Sequence, residues 1–222
     1  IVGSKIRMTD SLVGDNGREA LRRARAVCEA TGLPLMLHPN QSPLSLEQLL
    51  AQMRPRDILT HCFHRGPTGI LAADGRVRVA ARRAAARGVL FDVGHGKGSF
   101  SFAVAAQAMA QGLLPGTISS DLHRYNLHGP VFDLATTVSK FLLLGWSLPD
   151  ALDRVTRAPA AAMGMLGQIG TVVPGACADV ALLELREEPC ELEDATGERR
   201  HAARRLVPVL TVRGGEVFAR DP

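Results

Sequence analysis

Lysine is scarce in this sequence. The 222 residues include 23 arginines but only three lysines, at positions 5, 97 and 140. An arginine side chain is permanently charged, whereas a lysine can lose its proton and act as a nucleophile. Because arginine supplies the ordinary surface cations here, each retained lysine points to chemistry that arginine cannot perform.

Closely paired cysteines and long apolar runs are also absent. The four cysteines, at positions 28, 62, 177 and 190, show no CxxC spacing. This pattern excludes a small disulfide scaffold and predicts reduced thiols in a cytoplasmic protein. No apolar run reaches the roughly 18 residues of a membrane helix, so we expect no membrane partner.

Strong charge of one sign is absent as well. The net charge is only +4, and the arginines are scattered, several of them along one helical stretch between residues 18 and 25. A solvated helix face explains that stretch better than nucleic-acid binding, so we expect no nucleic-acid partner. The hydrophobic content of 46% is enough for one large domain, or for a medium domain with an appendage.

The first three quarters of the chain alternate between strand and helix patterns. The predicted strands are Ile1–Arg7, Leu33–His38, Ile58–His61, Val89–Val93 and Thr117–Asp121. The predicted helices are Asn16–Ala30 ending at Gly32, one that begins at Ser45, Arg76–Arg87, Ser99–Gln111, Val131–Leu144 and Pro149–Met163. Short connections between such units predict an α/β fold with a parallel sheet.

Polar residues at nearly every strand end favour part of a (β/α)8 TIM-like barrel over a doubly wound sheet, which binds its ligand at one switch point. A complete barrel needs eight strands, and five are predicted here. With Ile1 instead of Met at the start, we expect residues 1–165 to be the C-terminal part of the barrel, its first three strands lying outside this chain.

Residues 166–222 are predicted to form a small β module, a β-sandwich. It is expected to contain a strand and turn over Ile169–Gly175, a strand over Ala178–Leu183, and a hairpin of Val207–Arg213 with Glu216–Phe218 around Gly214-Gly215. The charged stretch Arg186–Arg205 is predicted to be a surface loop.

Four polar residues, Lys5, His38, His61 and Asp121, close successive apolar runs. Each alone has an ordinary alternative, such as a surface cation, a core histidine or a helix cap. Together they would converge on the carboxyl face of the sheet, where barrels carry out their chemistry. Two imidazoles and a carboxylate suit zinc, and Lys5 can join them once CO₂ converts its amine into a bridging carbamate.

This set predicts one or two divalent ions, most simply Zn²⁺, that generate hydroxide at neutral pH. Asp121 would be both ligand and proton acceptor. His64, His95, His123 and Tyr125 are predicted to contact substrate, although His64 is equally interpreted as a loop cap, and His123 and Tyr125 resemble ordinary loop residues. The stretch around His95 lacks the ending of a phosphate-binding loop.

The combined motifs resemble the amidohydrolase superfamily, most closely its dihydroorotase-like deacetylase branch. They are Gly3-Ser4-Lys5, Leu37-His38, Thr60-His61-Cys62-Phe63-His64, Phe91-Asp92-Val93-Gly94-His95-Gly96, Ser120-Asp121-Leu122-His123 and Gly170-Thr171 with Pro174-Gly175. The resemblance covers the whole chain and matches the C-terminal portion of the family, strands 4–8 plus the terminal β module. It implies a distorted (β/α)8 barrel, a carboxylated Lys5, a second metal on His38 and His61, and Asp121 as proton shuttle.

The expected function is therefore metal-dependent hydrolysis of an amide or ester bond, deacylating a small N-acyl amino acid or O-acyl hydroxy acid. A small-molecule substrate is the expected partner, and a homo-oligomer the expected assembly. The family's first-strand His-x-His pair does not occur in this sequence. The alternatives are a dihydroorotase-like cyclic amide hydrolase, and a non-catalytic assembly protein or inactive fragment.

Overall fold

The computed structural model describes residues 1–219, and its first part is built on a parallel sheet. Four strands pair in chain order: β1 (Ser4–Arg7), β2 (Leu35–His38), β3 (Ile58–Leu59) and β4 (Leu90–Phe91). The parallel α/β arrangement expected from the sequence is confirmed. The predicted fifth strand is reduced to one bridge between Asp92 and Thr117, although backbone bonds between residues 93–96 and 117–120 continue alongside it.

Helices cover the sheet. They are α1 (Asp10–Val13), α2 (Gly17–Thr31), α3 (Leu46–Ala51), α4 (Val79–Ala86), α5 (Phe102–Ala110), α6 (Leu134–Leu143), α7 (Leu148–Asp153) and α8 (Arg157–Ala162). Gly32 ends α2 with a left-handed φ of 69°. Ser45 and Gln48 begin α3 with reciprocal side-chain to backbone bonds of 3.2 and 3.0 Å. Both helix boundaries agree with the sequence pattern.

The single helix predicted over Pro149–Met163 is wrong, because the structure divides it into α7 and α8. Thr156 leaves the helical region, with φ −125° and ψ −85°. Pro159 lies three residues further on. Since a proline ring clashes with the carbonyl four residues before it, a helix cannot continue through Val155.

The last part of the chain is antiparallel. Its strands are β5 (Val180–Arg186), β6 (Cys190–Glu193), β7 (Arg199–Ala202), β8 (Arg205–Arg213) and β9 (Glu216–Ala219). One sheet has the order β5-β8-β9, and β6 pairs with β7. The hairpin predicted around Gly214-Gly215 is confirmed. The strand predicted within Ile169–Gly175 is wrong, since the described structure contains only a Leu166–Ile169 bridge there. The turn predicted at the end of that range is present at Pro174-Gly175.

The surface loop predicted over Arg186–Arg205 is also wrong, because it contains the β6–β7 hairpin. Leu192 and Ala202 are only 5% exposed and join the same core as the parallel sheet. Cross-strand ion pairs, such as Arg199 with Glu193 at 2.9 Å, keep the charges on the outer face. The charges that suggested a loop therefore mark the solvent side of two strands.

The hairpin lies within residues 166–222 by sequence yet packs on the first part of the chain. The amide of Phe102 donates to Asp194 (2.8 Å), and the amide of Ala195 donates to the carbonyl of Phe100 (3.1 Å). The predicted division at residue 165, the closed barrel and the β-sandwich stay predictions, and residues 220–222 lie outside the described residues. Within residues 1–219, no helix has both the length and the apolar character needed to cross a bilayer.

Candidate active site

The carboxyl ends of the parallel strands open into a cavity of about 440 Å³. It is lined by Lys5, Arg7, Thr9, His38, Asn40, Gln41, His64, Gly66, Lys97, Gly98, Ser99, Asp121 and His123. Three of the four predicted ligands thus share one cavity, and the fourth, His61, packs directly against His38. Residues separated by more than 100 positions are brought together because parallel strands end at the same edge.

His38 and His61 form an edge-to-face pair. Their ring centroids are 4.2 Å apart, with an angle of 74° between the planes. Burial lowers the pKa of His38 to about 3, and the nearby His61, Arg7 and Lys5 add to the effect. Burial also lowers the pKa of His61, against weaker opposing effects of Gly94 and Asp121. Both imidazoles are therefore neutral at pH 7, which is the form that binds metals.

The orientation of the His61 ring is fixed by a backbone carbonyl. Its Nδ1 lies 2.6 Å from the carbonyl oxygen of Gly94, so Nδ1–H donates and Nε2 keeps its lone pair. Metal-binding histidines commonly make this backbone contact through their other nitrogen. No side chain fits at Gly94, because an added Cβ would lie 2.4 Å from Thr60 Oγ1 and 2.7 Å from His61 Nδ1.

His61 and Asp121 both adopt left-handed backbone conformations, with φ of 59° and 46°. Such conformations are costly for residues other than glycine and cluster at functional sites. β3 ends at Leu59, so the strand predicted to include His61 is shorter than expected. Asp121 is supported by the fully buried Asn126, whose Nδ2 donates to the Asp121 carbonyl (3.0 Å).

Positive charge dominates the cavity wall. Lys5, Arg7 and Lys97 line it, whereas Asp121 is the single carboxylate among its lining residues. Lys5 and Arg7 alternate with the half-buried Ile6 along β1, and Arg7 lies beside His38 in the strand register. Among residues 1–219 the Lys5 amine has no hydrogen-bond or ion-pair partner, so it is open to modification or to an anion.

Two of the predicted substrate-contacting residues, His64 and His123, reach this cavity. The amide of Gly66 donates to His64 Nδ1 (2.9 Å), which leaves the proton on Nε2. That Nε2 has no hydrogen-bond partner within the described part of the chain. Burial lowers the pKa of His64 to about 4, with a smaller opposite effect from the backbone of Thr68.

Tyr125 is 59% exposed and lies beside His123, with ring centroids 5.8 Å apart, at the margin of the site. The structure does not bring His95 to the cavity. His95 is completely buried against Phe100, and its Nε2 lies 2.7 Å from Nζ of the equally buried Lys140. Burial lowers the pKa of His95 to about 3 and that of Lys140 to about 7.

The donor chemistry of the site fits a divalent metal ion. Two neutral imidazoles, one of them oriented by a backbone carbonyl, stand near a carboxylate and an unpaired lysine. Within residues 1–219, however, no three His, Cys, Asp or Glu side chains are grouped closely enough to hold an ion by themselves. Catalytic zinc usually takes three protein ligands, so the lysine or further ligands must complete the set.

Sequence reasoning overlooked Asp92, Arg7 and Lys97 as site residues. Asp92 is buried at the end of β4 and accepts hydrogen bonds from three hydroxyl groups. Its position directly after an apolar strand is the signal that identified the other four residues. Arg7 follows Lys5 by two residues, so strand periodicity places both side chains on one face.

Among known proteins, this chain is similar to several named deacetylases. The chain is 38% identical over 221 residues to a deacetylase of Enterococcus faecalis and 33% identical over 219 residues to a deacetylase of Agrobacterium fabrum. These alignments cover 98% and 99% of this chain but 60% and 54% of those proteins. The chain therefore spans little more than half the length of these relatives. No protein-family model matches it.

Two solved structures agree closely with the fold. One is a crystal structure of an adenine deaminase, with a TM-score of 0.94 and 37% identity over 99% of this chain and 60% of that chain. The other is of a dihydroorotase, with a TM-score of 0.88 and 32% identity over 99% of this chain and 57% of that chain. These similarities support the amidohydrolase superfamily. The differing names of these amidohydrolase-type relatives do not assign a substrate to this chain.

Proposed function

We propose that the intact protein is a metal-dependent amidohydrolase that deacylates a small N-acyl amino acid or O-acyl hydroxy acid. The observation that carries this proposal is the pair of neutral, edge-to-face imidazoles of His38 and His61, held at the carboxyl edge of a parallel sheet beside Asp121 and Lys5. The two relatives named deacetylase support the acyl-transfer chemistry.

His38, His61, Asp121 and a carboxylated Lys5 would hold one or two ions, most simply zinc. A bound divalent ion supplies Lewis acidity and lowers the pKa of water to near neutrality. The chain's residues contribute orientation and proton transfer. The Gly94 carbonyl keeps the His61 ring in place, and the carboxylate of Asp121 accepts a proton and returns it to the leaving group.

The charge of the cavity fits an acidic substrate. Arg7 Nε donates to Thr9 Oγ1 at 3.0 Å, which steadies the guanidinium while its terminal nitrogens stay free of ion pairs within residues 1–219. Lys97 lies on the same cavity, 5.9 Å from the centre of the Tyr125 ring. A free carboxylate on the substrate would be attracted to these cations, as in an acylated amino acid or hydroxy acid.

The test combines metal analysis with a substrate panel. The intact protein is assayed, before and after chelation and zinc restoration, on N-acetyl amino acids, O-acetyl hydroxy acids, their uncharged methyl esters and a cyclic amide. We expect deacylation of an acidic substrate that depends on metal and is lost in His38→Asn. Hydrolysis that survives chelation, or turnover of the cyclic amide alone, would contradict the proposal.

A further inference from the structure

A hydrogen-bond network lies directly beneath the candidate metal site. Asp92 follows β4 and is 3% exposed. Its Oδ2 accepts hydrogen bonds from the hydroxyls of Thr60 (2.6 Å) and Ser119 (2.7 Å), and its Oδ1 accepts one from Thr117 (2.7 Å). One carboxylate thus joins three chain segments that are distant in sequence.

The direction of these bonds is determined by a neighbouring amide. The N–H of Gly94 donates to Ser119 Oγ at 3.1 Å, so the proton of that hydroxyl is left to donate to Asp92. Three donors converging on one carboxylate require an acceptor on both oxygens. An asparagine at this position would place an NH₂ group against at least one hydroxyl and force it to turn.

Each segment tied to Asp92 carries part of the site. Thr60 precedes His61, Ser119 precedes Asp121 by two residues, and Gly94 provides the carbonyl that lies 2.6 Å from His61 Nδ1. His61 and Asp121 both need external support because their backbones are left-handed. The hydrogen bonds to Asp92 hold the chain segments that contain both residues.

We infer that Asp92 is a positioning residue for His61 and Asp121, an inference that rests on the metal-dependent function proposed above. It touches neither substrate nor ion in this role. It holds the backbone from which one imidazole ligand and the proton acceptor project. Outer partners of metal ligands typically change metal affinity or activity by about 10–100-fold when replaced.

A matched control exists on the same sheet. Asp57 is 1% exposed and accepts hydrogen bonds from Arg25, from the amide of Leu35 (2.8 Å) and from the amide of Arg54 (2.7 Å). It precedes β3 and lies at the opposite edge from the cavity. Asp57→Asn therefore perturbs an equally buried carboxylate without touching the site.

The experiment compares Asp92→Asn with Asp57→Asn in the intact protein, using competition with a zinc chelator, steady-state kinetics and crystal structures. We expect Asp92→Asn to lose at least about tenfold in zinc affinity and in kcat, with KM little changed and with His61 or Asp121 displaced. Asp57→Asn should keep wild-type zinc affinity and kcat. Equal zinc affinity in the two variants, with His61 and Asp121 undisturbed, would overturn the inference.

Two smaller substitutions protect the test from misfolding. Thr60→Val and Ser119→Ala each remove one hydroxyl donor to Asp92, and both should weaken zinc binding in the same direction as Asp92→Asn. Wild-type zinc affinity in both would count against the network. Should the wild-type protein show no metal-dependent hydrolysis, the proposed function fails, whereas the displacement of His61 and Asp121 in the variant structures still decides the positioning role.

Discussion

The two edges of the parallel sheet each bury an aspartate, but they use it differently. At the amino edge, Asp57 is paired with the positively charged Arg25 and with two backbone amides. At the carboxyl edge, the carboxylate of Asp92 accepts hydrogen bonds from three neutral hydroxyl groups. The first arrangement neutralises a buried charge, whereas the second organises neighbouring chain segments.

The difference extends to the surroundings of each edge. The carboxyl edge collects neutral buried histidines, left-handed residues such as His61 and Asp121, and cations that lack an acidic partner in the described structure. These features cost stability and are retained where chemistry requires them. In parallel α/β folds the amino edge serves stability and the carboxyl edge serves function.

Removing Lys5 should have the largest effect on function and almost none on stability. Its side chain is exposed and has no ion-pair partner within residues 1–219. In Lys5→Ala we expect metal content and activity of the intact protein to fall to background, because the proposed carbamate, which would hold the metal ions, can no longer form. Propionate should restore part of the activity. Wild-type metal content and activity in Lys5→Ala would refute carboxylation.

Substitution at the amino edge should show the opposite pattern. Asp57→Asn leaves the buried Arg25 without its charged partner, and breaking such a pair typically costs about 3–5 kcal/mol of unfolding free energy. Urea denaturation of the intact protein measures the loss, and kcat at a temperature below the transition should remain at the wild-type value. A large fall in kcat with unchanged stability would break the proposed contrast between the two edges.

Asp121→Asn should lower kcat by on the order of 10²-fold or more, the usual scale for the loss of a general base. Asparagine tolerates the left-handed backbone at this position, so the fold should be preserved. KM should change much less, because remote substrate contacts are intact. If Asp121 were only a helix cap, stability would instead fall by about 1 kcal/mol with kcat unchanged, and melting and kinetics on one preparation distinguish the two.

The buried histidines should make the stability of the fold sensitive to acid. Burial lowers the pKa of His64 to about 4 and that of His95 to about 3. The pKa of a histidine in an unfolded chain is about 6.5. Between these values the unfolded chain binds protons that the folded chain does not. Stability should therefore fall as pH decreases from about 6.5 to 4, by at most about 1.4 kcal/mol per pH unit for each histidine.

Urea midpoints across this pH range test the effect, with two substitutions as probes. His64→Gln should reduce the slope of stability against pH, and His201→Gln should leave it unchanged because His201 is exposed. Equal slopes in wild-type and His64→Gln would show that folding does not lower the pKa of His64.

Much of the parallel sheet could be predicted from the sequence. Apolar runs predicted β1 to β4, and Gly32 predicted the end of α2. The position of polar residues at strand ends predicted that Lys5, His38 and Asp121 lie around one cavity. These features depend on local pattern and on the shared direction of parallel strands. The same reasoning applies to Asp92, which directly follows the apolar strand β4.

Features that depend on distant contacts could not be predicted. The charged residues of β6 and β7 suggested a loop. The hairpin they form is buried by contacts with core residues some 90 positions earlier in the chain, which local sequence does not reveal. His95 resembled a site residue because it follows a strand, but it packs in the interior against Phe100 and Lys140. Sequence spacing places a residue at the end of a strand, but tertiary packing decides whether its side chain lies in the cavity or in the core.

The most direct test of the account is the location of bound zinc. Crystals of the intact protein grown with zinc should give an anomalous difference peak about 2.0–2.1 Å from an imidazole nitrogen of His38 and of His61, the normal zinc–nitrogen distance. The peak should disappear in His61→Asn and persist in Asp57→Asn. A peak confined to other side chains, or one that survives removal of His61, would contradict a metal centre at the carboxyl edge of the sheet.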